Sequence, residues 1–157
     1  MTGPRHVRIG DITPFDYAFE GPIRASMTDI GRTVSSQKIG LAIQTIAPGN
    51  WSSRRHRHVF QEEILVVMSG NGTLHHGDTP VPCGPGDVFC YLAGDPAIHA
   101  FENTGTEPLV IWAFGDRHPH EICEYPDQGV AFVEGLGAEV SLAEVRPSAW
   151  TEARRQR

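Results

Sequence analysis

Two histidines one residue apart, His56 and His58, are followed five residues later by a carboxylate, Glu63, and much further on by a third histidine, His99. Imidazole and carboxylate are the side chains that hold divalent transition metals. On an extended strand alternate residues share a face, so His56 and His58 point the same way. If the chain turns over residues 59–62 and re-enters a sheet, Glu63 shares a face with Leu65 and Val67. It then stands at the end of an otherwise apolar face, where a lone carboxylate is costly unless paired. His99, after the turn Gly94-Asp95-Pro96, would supply a fourth donor from a different strand. Three neutral imidazoles and one carboxylate leave a divalent cation some positive charge and about two open octahedral positions. Those positions can polarise a substrate oxygen or bring substrate and dioxygen together. On spacing alone an H-x-H pair also fits a surface strand, and Glu62 beside Glu63 leaves the choice of carboxylate open.

The elements that must position these groups read as short strands. Seventeen Gly and twelve Pro are spread along 157 residues, and no window carries a long amphipathic helical pattern. That favours a single all-β domain. Ile39, Leu41 and Ile43 alternate along a strand ending near Pro48-Gly49. Residues 63–68 form a strongly apolar strand, Ser69-Gly70-Asn71-Gly72 signals a hairpin, and residues 73–76 return. Further strands are expected over 88–92, 98–101 and 108–115, with a turn at Gly84 to Asp87. Even spacing of strands and turns predicts a barrel or two-sheet roll over 36–115. An irregular N-terminal arm over 1–35 is broken by Pro4, Pro14 and Pro22, with one strand near Val7 to Ile9. An extension over 116–157 wraps the outside; Ser141-Leu142-Ala143-Glu144 reads as a capping box opening a short helix. Pro147 would limit that helix, and Arg154 to Arg157 fray.

The formal net charge of −6 argues against nucleic-acid binding. The cluster Arg54, Arg55, Arg57 interleaves with histidines and reads as a pocket rim. Three cysteines without C-x-x-C spacing argue against a disulfide scaffold and for reduced thiols in a cytoplasm. The N-terminus lacks an apolar signal region, and no apolar run reaches the ~18 residues of a membrane span.

Gly49 and His56-x-His58-x4-Glu63-x6-Gly70 together resemble the first signature motif of the cupin superfamily. Pro85-Gly86-Asp87, followed by His99 and Asn103, resembles the second. The departures are one extra residue between Gly49 and His56, and Cys83-Gly84 just before the Pro-Gly-Asp. The resemblance implies a single-domain cupin β-barrel, or jelly roll, with irregular terminal arms. It implies one divalent metal ion (Fe, Mn, Zn or Ni) held by His56, His58, Glu63 and His99. It also resolves the carboxylate as Glu63, and gives Asn103 a structural turn position. A small-molecule substrate and a homodimer are implied as well. The expected activity is that of a metal-dependent enzyme of dioxygenase or isomerase/lyase type, with a non-catalytic small-ligand or sensor cupin as the alternative. The tail from Gly115 through Tyr125-Pro126-Asp127 resembles the ending of small stand-alone bacterial cupins, some described as sugar-phosphate-isomerase-like. The N-terminal helix-turn-helix of some relatives has no counterpart here.

Other residues carry weaker expectations. Tyr91, Phe101 and Trp112 read as core aromatics. Trp51 packs the barrel rim, Arg54 is solvated and Arg55 is undecided. One of His75 and His76 faces inward, as an edge histidine or an acid/base near the metal. His118 and His120 read as surface residues or a lid. Cys90 reads as buried and Cys83 as exposed.

Overall fold

The structure, a computed structural model, describes residues 5–146 and residue 148. The expected limits at Pro147 and at Arg154 to Arg157 lie outside the described residues. The strands are β1 (Phe15–Ala18), β2 (Arg24–Asp29), β3 (Ile39–Ile46), β4 (Arg57–His58), β5 (Glu63–Ser69), β6 (Gly72–His76) and β7 (Thr79–Cys83). They continue as β8 (Val88–Tyr91), β9 (His99–Glu102), β10 (Leu109–Asp116), β11 (Ile122–Tyr125), β12 (Val130–Val133) and β13 (Ala138–Ser141). A four-residue helix, α1 (Ile30–Thr33), is capped by the Asp29 side chain, which accepts from the Arg32 N–H at 2.8 Å.

Among the described residues the strands form three sheets, ordered β1-β2-β3-β10-β5-β8, β13-β12-β11-β4 and β7-β6-β9. Every strand pair within them is antiparallel. This is the expected all-β barrel. Its core lies between the six-stranded and three-stranded sheets, where Ile46, Leu109 and Ile111 are fully buried beside Val67, Leu74 and Phe101. Each such side chain stabilises the fold by about 1.5–3 kcal/mol.

Several local expectations change. Residues 9–11 form a 3-10 turn and no strand forms near Val7, while β1 and β2 of the supposed irregular arm extend the large sheet. Pro14 and Pro22 flank β1 without interrupting it, as proline does beside an edge strand. The Ser69–Gly72 turn is not a hairpin: β5 pairs with β10 and β8, whereas β6 pairs with β7 and β9, so the chain crosses between sheets there. Gly70 permits the crossing, with φ of 78° and its Cα against the backbone of Pro108 and Leu109, where a side chain has no room. β7 escaped the strand reading because Pro80 and Pro82 lie in it, and both are tolerated because β7 is an edge strand. Leu142–Glu144 is a single 3-10 turn, and Ser141 makes no side-chain cap.

The face of the large sheet turned away from the core is largely apolar along four of its strands, with Asp116 at the end of β10. β3 contributes Ile39, Leu41 and Ile43, β10 contributes Trp112 and Phe114, β5 Ile64 and Val66, and β8 Val88. Ile39, Ile64 and Val88 are 63%, 39% and 60% exposed. Tyr91 and Phe101 are core residues as expected, but Trp112 is half-buried on this outer face.

Candidate metal centre

The four residues singled out from the sequence converge from three chain segments. Glu63 opens β5, His58 ends β4, His99 opens β9, and His56 precedes β4. A backbone bridge aligns two of them: the His56 N–H donates to the His99 carbonyl at 3.1 Å, and the His99 N–H to the His56 carbonyl at 2.8 Å. Each residue offers one donor atom, and these atoms all lie within 4.8 Å of one another. Ring centroids stand 4.6 Å apart for His56 and His99 and 5.0 Å for His56 and His58. The His99 Nε2–H donates to Glu63 Oε2 at 3.2 Å. Glu62 is exposed, its backbone tied to Asp116 Oδ1 at 2.7 Å, so Glu63 is the carboxylate that turns inward.

The donor set fits a divalent transition metal. A void of about 40 Å³ lies among His56, Glu63 and His99. Burial, reinforced by the neighbouring His99 and His58, pulls the His56 pKa down to about 3, so the ring is neutral and keeps a lone pair for coordination. Burial alone pushes the Glu63 carboxyl up, but the hydrogen bond from His99 and the surrounding imidazoles outweigh it and hold it below its ordinary value. His99 is 2% exposed, and its Nδ1 is the one buried side-chain polar atom among the described residues without a hydrogen-bond partner. Its ring stacks on Tyr91 at 3.7 Å and 14°.

The imidazoles are oriented from behind. His56 Nδ1–H donates to the Arg54 carbonyl at 2.9 Å, and His58 Nδ1–H to Glu121 Oε1 at 3.3 Å. Glu121 is 4% exposed and also accepts the Val59 and Phe60 N–H groups at 3.0 and 3.1 Å. Sequence reasoning missed this residue. Its only signal was an acidic side chain two residues before the apolar Cys123 in a segment that otherwise read as polar wrapping. β11 pairs with β4, setting Cys123 opposite His58, so the C-terminal extension holds the His58 strand in place.

Glu63 also borders a cleft of about 470 Å³, walled by polar groups including Gln44, Gln61, Arg117 and His118 and by the small side chains Ala42 and Ala113. His118 therefore belongs to the mouth, stacked on Phe60 at 5.0 Å, while His120 is exposed. Arg54 is not solvated: it pairs with Glu139 and lies 3.7 Å from the Tyr125 ring centroid. Arg55 grips Asp127 with two hydrogen bonds of 2.7 and 2.9 Å, and Arg57 meets Glu124 at 2.6 Å. The basic cluster is thus neutralised by the C-terminal extension, and Tyr125 and Asp127 act as its anchors. His75 faces outward, stacked on Trp51 at 4.2 Å and donating to Glu102 at 2.8 Å. His76 meets the Tyr91 hydroxyl at 3.2 Å, one residue removed from the cluster. Asn103, 1% exposed, donates to the Ile46 and Glu107 carbonyls at 2.7 and 2.9 Å and accepts from the Gly105 N–H, a structural turn as expected. The cysteine expectations reverse: Cys83 is buried and Cys90 exposed, because Cys90 lies on the outer face of β8.

Residues 42–114 match the cupin domain family, and the barrel described above has the cupin fold. The structure is similar to a candidate sugar phosphate isomerase from Acidithiobacillus ferrooxidans (28% identity, TM-score 0.81, 89% of this chain and 92% of that one). It is similar also to a cupin-superfamily sugar phosphate isomerase from Silicibacter pomeroyi (25% identity, TM-score 0.80, 92% and 97%). Auxin-binding protein 1 of Arabidopsis thaliana is 32% identical over 127 residues; the match spans 76% of this chain and 62% of that protein's length. No helix among the described residues is long and apolar enough to cross a membrane.

Proposed function

We propose that this protein is a mononuclear metal-dependent cupin enzyme that isomerises a small hydroxylated acid of the sugar phosphate class. His56, His58, Glu63 and His99 would hold one divalent ion. The observation that carries the proposal is the double position of Glu63, in the donor cluster and in the wall of the polar cleft. A substrate seated in the cleft would therefore meet the open side of the centre. When bound, the ion supplies Lewis acidity toward a substrate oxygen. Gln44 and Gln61 offer hydrogen bonds to hydroxyls, and Arg117 offers charge to an acidic group. His118 is the cleft imidazole outside the quartet, and is suited to carry a proton. Two neighbours of similar length described as sugar phosphate isomerases support this chemistry over dioxygen activation.

The test is to load the purified chain in turn with Mn²⁺, Fe²⁺, Zn²⁺ and Ni²⁺ and follow a panel of aldose and ketose phosphates by proton NMR, with oxygen uptake recorded in parallel. Interconversion without oxygen uptake, reduced by His118→Ala, is expected. Oxygen consumption matched to substrate loss would replace isomerisation by dioxygenase chemistry. A second reading, a ligand-binding cupin without turnover, is favoured by the likeness to a protein named for auxin binding. Saturable binding with no conversion of any substrate would select it.

We further propose a homodimer in which a second copy covers the outer face of the large sheet. Monomers rarely expose contiguous apolar patches beyond a few hundred Å². Along β3, β10, β5 and β8 the face is apolar except for Asp116 at the end of β10, so a matching apolar face suits it, and a two-fold axis supplies one. Three free thiols suit a reducing, cytoplasmic setting.

A further inference from the structure

We infer that Glu121 is a positioning residue of the metal centre, fixing His58 through its outer ring nitrogen. This rests on the reading that the quartet holds a metal. The three imidazoles are supported differently. His56 leans on a neutral backbone carbonyl, His99 Nδ1 has no partner, and His58 alone leans on a carboxylate. A metal-binding imidazole that donates its other N–H to a carboxylate is locked in tautomer and orientation and becomes a stronger donor. The Glu121 carboxylate is built for that task. It is 4% exposed, and all three groups it accepts come from His58, Val59 and Phe60. It therefore sets the ring of His58 and, in the same grip, the bend by which the chain leaves β4 and reaches Glu63 at the start of β5. Its own backbone is fixed by the Glu121 N–H donating to the His118 carbonyl at 3.1 Å and by the Glu134 N–H donating to its carbonyl at 2.9 Å. The C-terminal extension, which contributes none of the four donors, thereby becomes part of the centre.

The experiment compares wild type with Glu121→Gln, which keeps the shape and one carbonyl acceptor but loses the charge and cannot accept from both sides. Glu121→Asp restores the carboxylate at shorter reach. Glu124→Gln, three residues along and paired among the described residues only with Arg57, serves as control. Affinity for Zn²⁺ is read by chelator competition, and the visible spectrum of the Co²⁺-loaded protein reports the ligand field. Glu121→Gln is expected to weaken Zn²⁺ binding by about 10–100-fold and to shift the Co²⁺ bands. Glu121→Asp should recover part of both, and Glu124→Gln should change neither. Circular dichroism confirms that each variant is folded. Independently of any variant, nitrogen-15 NMR of Zn²⁺-loaded wild type should show His58 as the Nδ1–H tautomer with the most downfield ring proton of the three.

Glu121→Gln within twofold of wild type in affinity, with an unchanged Co²⁺ spectrum, would overturn the inference while leaving the metal centre standing. His58 protonated at Nε2 would overturn it too. Wild type that binds neither ion would remove the metal centre itself, and this inference with it.

Discussion

Removing one imidazole tests the metal centre through stability, without reference to turnover. An ion present at 100 times its dissociation constant stabilises the folded state by about 2.7 kcal/mol if it binds that state alone. For a chain of this size each kcal/mol moves the melting temperature by roughly 2–4 °C, so saturating metal should raise it by roughly 5–11 °C. In His99→Ala the metal-free protein loses the stack on Tyr91 at 3.7 Å and the hydrogen bond to Glu63 at 3.2 Å. The stack is worth about 0.5–1.5 kcal/mol and a hydrogen bond to a charged group about 1.5–3. Against this, the variant no longer buries the unpartnered Nδ1, which relieves about 1–3 kcal/mol. The apo variant should therefore be destabilised by no more than about 3.5 kcal/mol and remain folded. The assay is calorimetric melting of chelator-treated protein, purified without a histidine tag, with and without each candidate ion. Wild type should rise and His99→Ala should stay near its apo value. A wild type unmoved by every ion, or a variant that rises as far as wild type, would refute the reasoning.

Two further outcomes follow from parts of the fold outside the centre. Tyr17 donates to the Ser52 carbonyl at 2.5 Å, and burial pushes its phenol up to about 12. A raised folded-state value means that its contribution is complete below the unfolded value near 10 and is lost as pH climbs through about 12. Tyr17→Phe should thus be about 1 kcal/mol less stable at neutral pH by urea denaturation, with the gap to wild type narrowing between about pH 10 and 12; a gap constant with pH would contradict this. Ile64→Glu places a charge in the middle of the outer apolar face, so light scattering is expected to find wild type dimeric, as proposed, and the variant a folded monomer. A wild type that is monomeric at all concentrations would remove the dimer.

Strand alternation, a rule of the local backbone, made the shared face of His56 and His58 legible, whereas the choice of Glu63 and the inclusion of His99 rested on the resemblance to the cupin motifs. Two histidines with one residue between them must share a face, and a carboxylate heading an apolar strand must find a partner. Turns at Gly84 to Asp87 and after Gly70 were legible for the same reason, since positive φ is a property of single residues. Direction across the fold was not. Ile39, Leu41 and Ile43 alternate as any core-facing strand does, yet they look outward, because the core side of β3 is occupied by Ile46 and the cleft side by Gln44 and Ala42. Cys83 and Cys90 reversed their expected burial for that reason.

What the amino-acid order determined by itself was the β-character of the chain, the positions of its tightest turns and, through its likeness to the cupin motifs, the candidate donor groups. The pairing of β4 with β11, the two-handed grip of Arg55 on Asp127, and the arrival of Glu121 behind His58 were decided only by tertiary structure. These contacts join residues more than sixty positions apart. Nothing local encodes such a meeting; it exists because β11 satisfies its backbone by pairing with β4 and β12 in the folded chain.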